Sequence, residues 1–105
     1  MKVTIIDDDL LELVETGTNS KYKKYSRDKK FLDKLIFVLN LLKSTSITSD
    51  LRKFSFLHYE QLVKNGKSSV RIMNGKVERL IFKEYKDGIE IEVLELDQNH
   101  YGRKK

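Results

Sequence analysis

A chain of 105 residues with 39% hydrophobic content has material for one modest core, so it is read as a single domain over residues 1–105. It contains no cysteine, which excludes a disulfide framework and zinc sites of the Cys/His kind and points to the cytoplasm and a fold needing no metal or cofactor. Lys and Arg number 21 against 16 Asp and Glu, a net charge of +5, and such a surface draws phosphate, making nucleic acid the leading partner class.

Along the chain, VTII near the N-terminus is β-branched and reads as a short strand. The acidic run Asp7 to Asp9 suits a helix N-terminus, and Leu10, Leu11, Leu13 and Val14 continue as an apolar stripe closed by Gly17 as C-cap. A basic connector with Lys21, Lys23 and Lys24 leads to a second helix from about Arg27 to Lys43. There Phe31, Leu32, Leu35, Ile36, Leu39 and Leu42 recur at three- and four-residue steps. Its apolar stretch FLDKLIFVLNLL is interrupted by Asp33 and Lys34 and is shorter than the roughly 18 residues of a membrane span. The first residues also lack the basic and apolar order of a signal peptide. Ser46 to Asp50 reads as a turn into a short helical piece.

From residue 67 the period becomes alternating. KSSVRIM, VERLIFKEY and IEIEVLEL are separated by Asn74-Gly75 and by Lys86-Asp87-Gly88, the composition of tight turns. The order is β-α-α-β-β-β, an α+β fold in which two helices pack on an antiparallel sheet. Leu80 and Phe82 share one face, while Arg79, Ile81 and Lys83 take the other, and Arg71 lies opposite in parity to Val70 and Ile72. Two arginines therefore project from adjacent strands, away from Leu80 and Phe82. Parity breaks between Val93 and Leu94, which marks a β-bulge.

The ordered set LHYEQL, SSVRI, RLIF, IEVLEL and a C-terminal HY, preceded by DDDLLELVETG and KYKKY, resembles the RelE/HigB superfamily of toxins from type II toxin-antitoxin systems. It is especially similar to the branch called plasmid maintenance system killer proteins. The resemblance implies a RelE-like fold and a toxin that is an endoribonuclease, an mRNA interferase acting on messenger RNA in the ribosomal A site. It implies as partners the ribosome and a cognate antitoxin, a helix-turn-helix protein of the HigA kind.

Cutting RNA without a metal uses the neighbouring 2′-hydroxyl as nucleophile. One group draws off its proton, another protonates the departing 5′-oxygen, and cations hold the charge growing on phosphorus. Arg71 and Arg79 match basic positions of the family and suit phosphate clamping, since a guanidinium donates two parallel hydrogen bonds; the plainer readings are a solvated strand residue or an ion pair with a glutamate. His58 and His100 match family histidines, and an imidazole titrating near pH 6.5 serves as base or acid. The resemblance implies that Tyr101 shares or replaces the role of His100, since RelE relies on a C-terminal tyrosine. Lys64, Lys67, Lys83 and Arg103 are the expected RNA-binding cations.

The chain departs from the family pattern at LVKNGK, which leaves open whether Lys64 or Lys67 is the family lysine, and at the longer turn MNGKVER. A competing reading is a non-enzymatic relative resembling ParE, which has the same fold and binds DNA gyrase. Another is an inactive RNA- or antitoxin-binding relative.

Overall fold

The computed structural model describes residues 1–62 and 66–98. The first strand, β1, spans Lys2–Ile5, and helix α1 follows over Asp8–Thr16. Asp7 caps α1, its side chain accepting from the Asp9 amide, and Gly17 closes it at φ 84° in the left-handed region, which a residue without Cβ enters at no steric cost. Helix α2 runs over Lys29–Ser44, capped by the Asp28 side chain, which accepts from the Phe31 amide at 3.1 Å. Phe31, Leu35, Val38, Leu39 and Leu42 form its buried stripe, the three- and four-residue spacing of an amphipathic helix. Among the described residues, no helix is long and apolar enough to cross a membrane.

Strands β2 (Glu60–Leu62), β3 (Lys67–Arg71), β4 (Arg79–Tyr85) and β5 (Glu90–Asp97) complete one sheet in the order β1-β5-β4-β3-β2. The meander of β3, β4 and β5 is antiparallel, as the alternation requires. Two expectations need correction. The sheet is mixed, because β1 pairs parallel with β5; α1, α2 and strands β2 to β4 all lie between them in the chain, ample for the long connection a parallel pairing needs. It also has a fifth strand, β2, antiparallel to β3. Three residues of Glu-Gln-Leu are too few to display a period of two, so the sequence gives no sign of it.

The bulge stands where parity breaks. Ile81 pairs with Glu95 and Phe82 with Val93, leaving Leu94 as the extra residue. The β3–β4 connection is longer than a two-residue hairpin turn: β3 ends at Arg71 and β4 begins at Arg79, with Gly75 at φ 81° inside it.

The core lies between the helices and one face of the sheet. Val70, Leu80, Phe82, Ile91, Val93 and Leu96 meet Leu10, Leu13 and the α2 stripe, giving a compact α+β domain. The basic connector is pinned to this core by two tyrosines, Tyr22 at 1% and Tyr25 at 3% exposure. Tyr22 donates its hydroxyl to Asp7 Oδ2 at 2.6 Å and accepts from the Leu96 amide at 3.3 Å. Their polar tips thus find partners on elements distant in the chain, as a buried tyrosine requires.

Candidate phosphate-binding face of the sheet

Most of the strand-borne candidate residues lie on the sheet face turned away from the helices. Alternation places Lys67, Ser69 and Arg71 of β3 on it, with Arg79, Ile81 and Lys83 of β4. Cross-strand register makes Arg71 the partner of Arg79 and Ser69 the partner of Ile81. On the other side Arg79 pairs with Asp97, Ile81 with Glu95 and Lys83 with Glu92. Glu60 of β2 pairs with Ser69. The face is therefore striped: carboxylates along β5, cations along β4 and β3.

The two arginines occupy different environments. Arg79 is 3% exposed. Its Nε donates to Ser69 Oγ at 2.8 Å, one Nη donates to the His58 carbonyl oxygen, and the same nitrogen lies 3.9 Å from Glu60 Oε1. The guanidinium is thus engaged by protein acceptors, which differs from the phosphate clamp expected from the sequence. A strand position reads as half-exposed, but the loop before β2 folds over this one. Arg71 is half-buried, and its Nε is buried without a hydrogen-bond partner among the described residues. Two guanidinium groups directly opposite each other repel. Glu60 and the His58 carbonyl offset the charge on Arg79, and a buried donor remains at Arg71 with no acceptor among the described residues.

His58 and Tyr59 divide their tasks. His58 stands exposed at φ 45°, ψ 53°, in the left-handed region, and its amide donates to the Ser55 carbonyl at 3.1 Å. Tyr59 turns inward, 9% exposed, and donates its hydroxyl to Glu84 Oε2. The same carboxylate accepts from Ser68 Oγ at 2.7 Å and, on Oε1, from Thr48 Oγ1 at 2.9 Å. Burial first, and then the hydrogen bond to Glu84, push the Tyr59 hydroxyl above its ordinary pKa. The Arg52 guanidinium lies 4.9 Å from the Tyr59 ring centroid, a cation–π distance. Tyr59 is thus an anchor that fixes where the chain presents His58 and Glu60.

The structure brings together Arg71, Arg79, His58 and Glu60 at one end of the β2–β3–β4 ladder. Lys67 and Lys83 share the face further along the strands. Lys64, His100, Tyr101 and Arg103 lie outside the described residues. Among the described residues no group of three or more His, Asp or Glu side chains stands together as a metal site. Sequence reasoning missed the polar cluster at Glu84 and the buried Glu78. In both, the carboxylate occurs where the strand parity calls for an apolar residue, the one signal that could have found them.

Comparison with family models, with curated proteins and with solved structures finds no match for this chain.

Proposed function

We propose that this protein is a metal-independent endoribonuclease of the RelE/HigB kind, the toxin of a toxin-antitoxin pair, cutting messenger RNA at the ribosomal A site. The observation that carries the proposal is the buried Nε donor of Arg71, unpartnered among the described residues and set opposite Arg79. A guanidinium with a spare, desolvated donor favours an anion, and phosphate matches its planar geometry.

In the proposed reaction the RNA 2′-hydroxyl loses its proton to a base and attacks the adjacent phosphorus. The bond to the 5′-oxygen breaks, and that oxygen takes a proton from an acid, leaving a 2′,3′-cyclic phosphate and a 5′-hydroxyl. Arg71 holds the nonbridging oxygens as charge accumulates. Arg79 is a positioning residue: through Ser69 and the His58 carbonyl it sets the wall beside Arg71. His58, His100 and Tyr101 are the proton-transfer candidates, and Lys67 and Lys83 neutralise neighbouring phosphates.

The test is primer extension on translated messages with purified protein and ribosomes, comparing wild type with Arg71→Ala. New 5′-hydroxyl ends in the wild type and their loss in the variant are expected. Uncut messages at verified soluble, folded protein would overturn the nuclease reading; a gyrase binder would instead arrest supercoiling in the same preparation.

A further inference from the structure

A second feature lies on the helix side of the same hairpin. Between the 3₁₀ turn Lys23–Tyr25, the start of α2 and the β3–β4 connection is a cleft of about 430 Å³. That is within the range of small-ligand sites, roughly 300–1,000 Å³. No residue assigned above to cleavage lines it. Tyr25 and Phe31 wall it with rings stacked at 4.4 Å and 25°. Glu78 lines it as well, yet is only 6% exposed. Its Oε2 accepts from the Tyr25 hydroxyl at 2.8 Å and lies 4.0 Å from Lys24 Nζ. Its Oε1 is buried and accepts no hydrogen bond among the described residues. At the mouth stand Lys24, Lys30 and Lys76, all exposed. The nearby Asp28 carboxylate is committed to capping α2.

An aromatic wall, an unpaired acceptor and a cationic mouth match three parts of one ligand class. We propose that this cleft binds a guanine nucleotide, with the base against Tyr25 and Phe31, its amidine edge on Glu78, and its phosphate at Lys24, Lys30 and Lys76. Guanine presents N1–H and N2–H side by side, two donors that suit a carboxylate. Adenine, cytosine and uracil each place an acceptor next to their donor, and that acceptor meets the carboxylate unfavourably. Lys24 is exposed and only loosely paired at 4.0 Å, so its side chain swings aside at little cost to admit the base edge. The same chemistry comes from a free mononucleotide or from one guanine of an RNA strand. The assignment goes beyond the cleavage proposed at Arg71, and it is read by binding alone, so either can fail without the other.

The experiment is calorimetric titration of the full chain with 5′-GMP, 5′-IMP and 5′-AMP, and with two short single strands, all uracil or uracil with one guanine. Expected is guanine over adenine by about tenfold or more, the weight of one charge-assisted hydrogen bond, with inosine between them because it lacks the 2-amino group. Glu78→Gln should erase the preference by presenting an amide donor to the base. Lys30→Ala and Lys76→Ala should weaken binding and flatten its salt dependence. Binding of GMP assigns the mononucleotide; binding of the guanine strand alone assigns RNA. Equal affinity for GMP and AMP, no saturable binding of GMP or of the guanine strand, or a preference that survives in folded Glu78→Gln overturns the proposal. The base series and the two lysine variants stand even if Glu78→Gln does not fold.

Discussion

The guanidinium of Arg79 donates to the carbonyl oxygen of His58, so a buried strand residue holds the backbone of a loop residue whose side chain is exposed. The bond runs between β4 and the segment entering β2, two pieces of chain with no local reason to meet. Removing the guanidinium would leave the His58 carbonyl, Ser69 and Glu60 without a shared donor. Arg79→Ala is therefore expected to destabilise the fold by about 1–3 kcal/mol, the cost of a buried polar partner left unmade, measured by urea denaturation. Arg71→Ala, whose Nε has no partner to lose among the described residues, should change stability by less than about 0.5 kcal/mol. An equal loss in both would show that the two arginines do the same structural work.

Cleavage should respond in the other direction. Arg71→Ala should lower the single-turnover rate by on the order of 10²–10³, the range for losing one donor to a developing oxyanion. His100→Ala or Tyr101→Phe should cost on the order of 10²–10⁴ if that group transfers the proton. Deleting Arg103 to Lys105 should instead raise the half-saturating RNA concentration in a salt-dependent way. Single-turnover rates at saturating protein separate these effects. Wild-type rates in both His100→Ala and Tyr101→Phe would leave His58 as the proton-transfer candidate.

Gly88 closes the β4–β5 connection at φ 93°, and a Cβ there would meet Thr48 Oγ1. That hydroxyl is the one donating to Glu84 Oε1 at 2.9 Å. Gly88→Ala should thus strain the backbone and disturb the Glu84 cluster together, destabilising by more than the ~1 kcal/mol that a compatible glycine replacement would gain. Thermal unfolding of Gly88→Ala beside Gly75→Ala makes the comparison. Gly75 has positive φ too, but nothing within 4 Å of its Cβ position, so it should lose less.

Alkaline pH should weaken the fold. Tyr22, Tyr25 and Tyr59 all hold their protons to higher pH than a free tyrosine, chiefly because burial disfavours the phenolate and then because each donates to a carboxylate. A folded-state pKa raised above the unfolded value near 10 means that the unfolded chain releases protons first as pH rises. The contribution is complete below about pH 10 and is lost above it. Urea midpoints should stay level from pH 8 to about 9.5 and then fall. A Tyr22→Phe, Tyr25→Phe double variant should show a shallower fall, and an unchanged slope in that variant would count against this origin.

Much of the architecture is legible in local patterns. Asp7, Asp28 and Gly17 announce helix ends through side-chain and backbone chemistry confined to a few residues. The alternation in RLIFKEY fixes which face Arg79 takes, and the parity break at Leu94 marks the bulge. The burial of Arg79 is not legible, because its partners come from β3, from β2 and from a loop residue in the left-handed conformation. The parallel pairing of β1 depends on β5, almost the whole chain away. Tyr22 and Tyr25 sit in a segment whose lysines dominate its composition, so their inward turn is hidden. Glu78 and Glu84 share the parity of the buried Leu80 and Phe82, and the hydroxyls that donate to them come from elements distant in the chain.

The parallel pairing of Lys2–Ile5 with Glu90–Val93 also orders events in time. β1 can be seated only when β5 has been made, and until then β4 is an unprotected edge. Contacts this distant in sequence slow closure of the sheet. Asp97, the register partner of Arg79, arrives with that final strand. A growing chain therefore lacks the finished face around Arg79 until translation has passed residue 97.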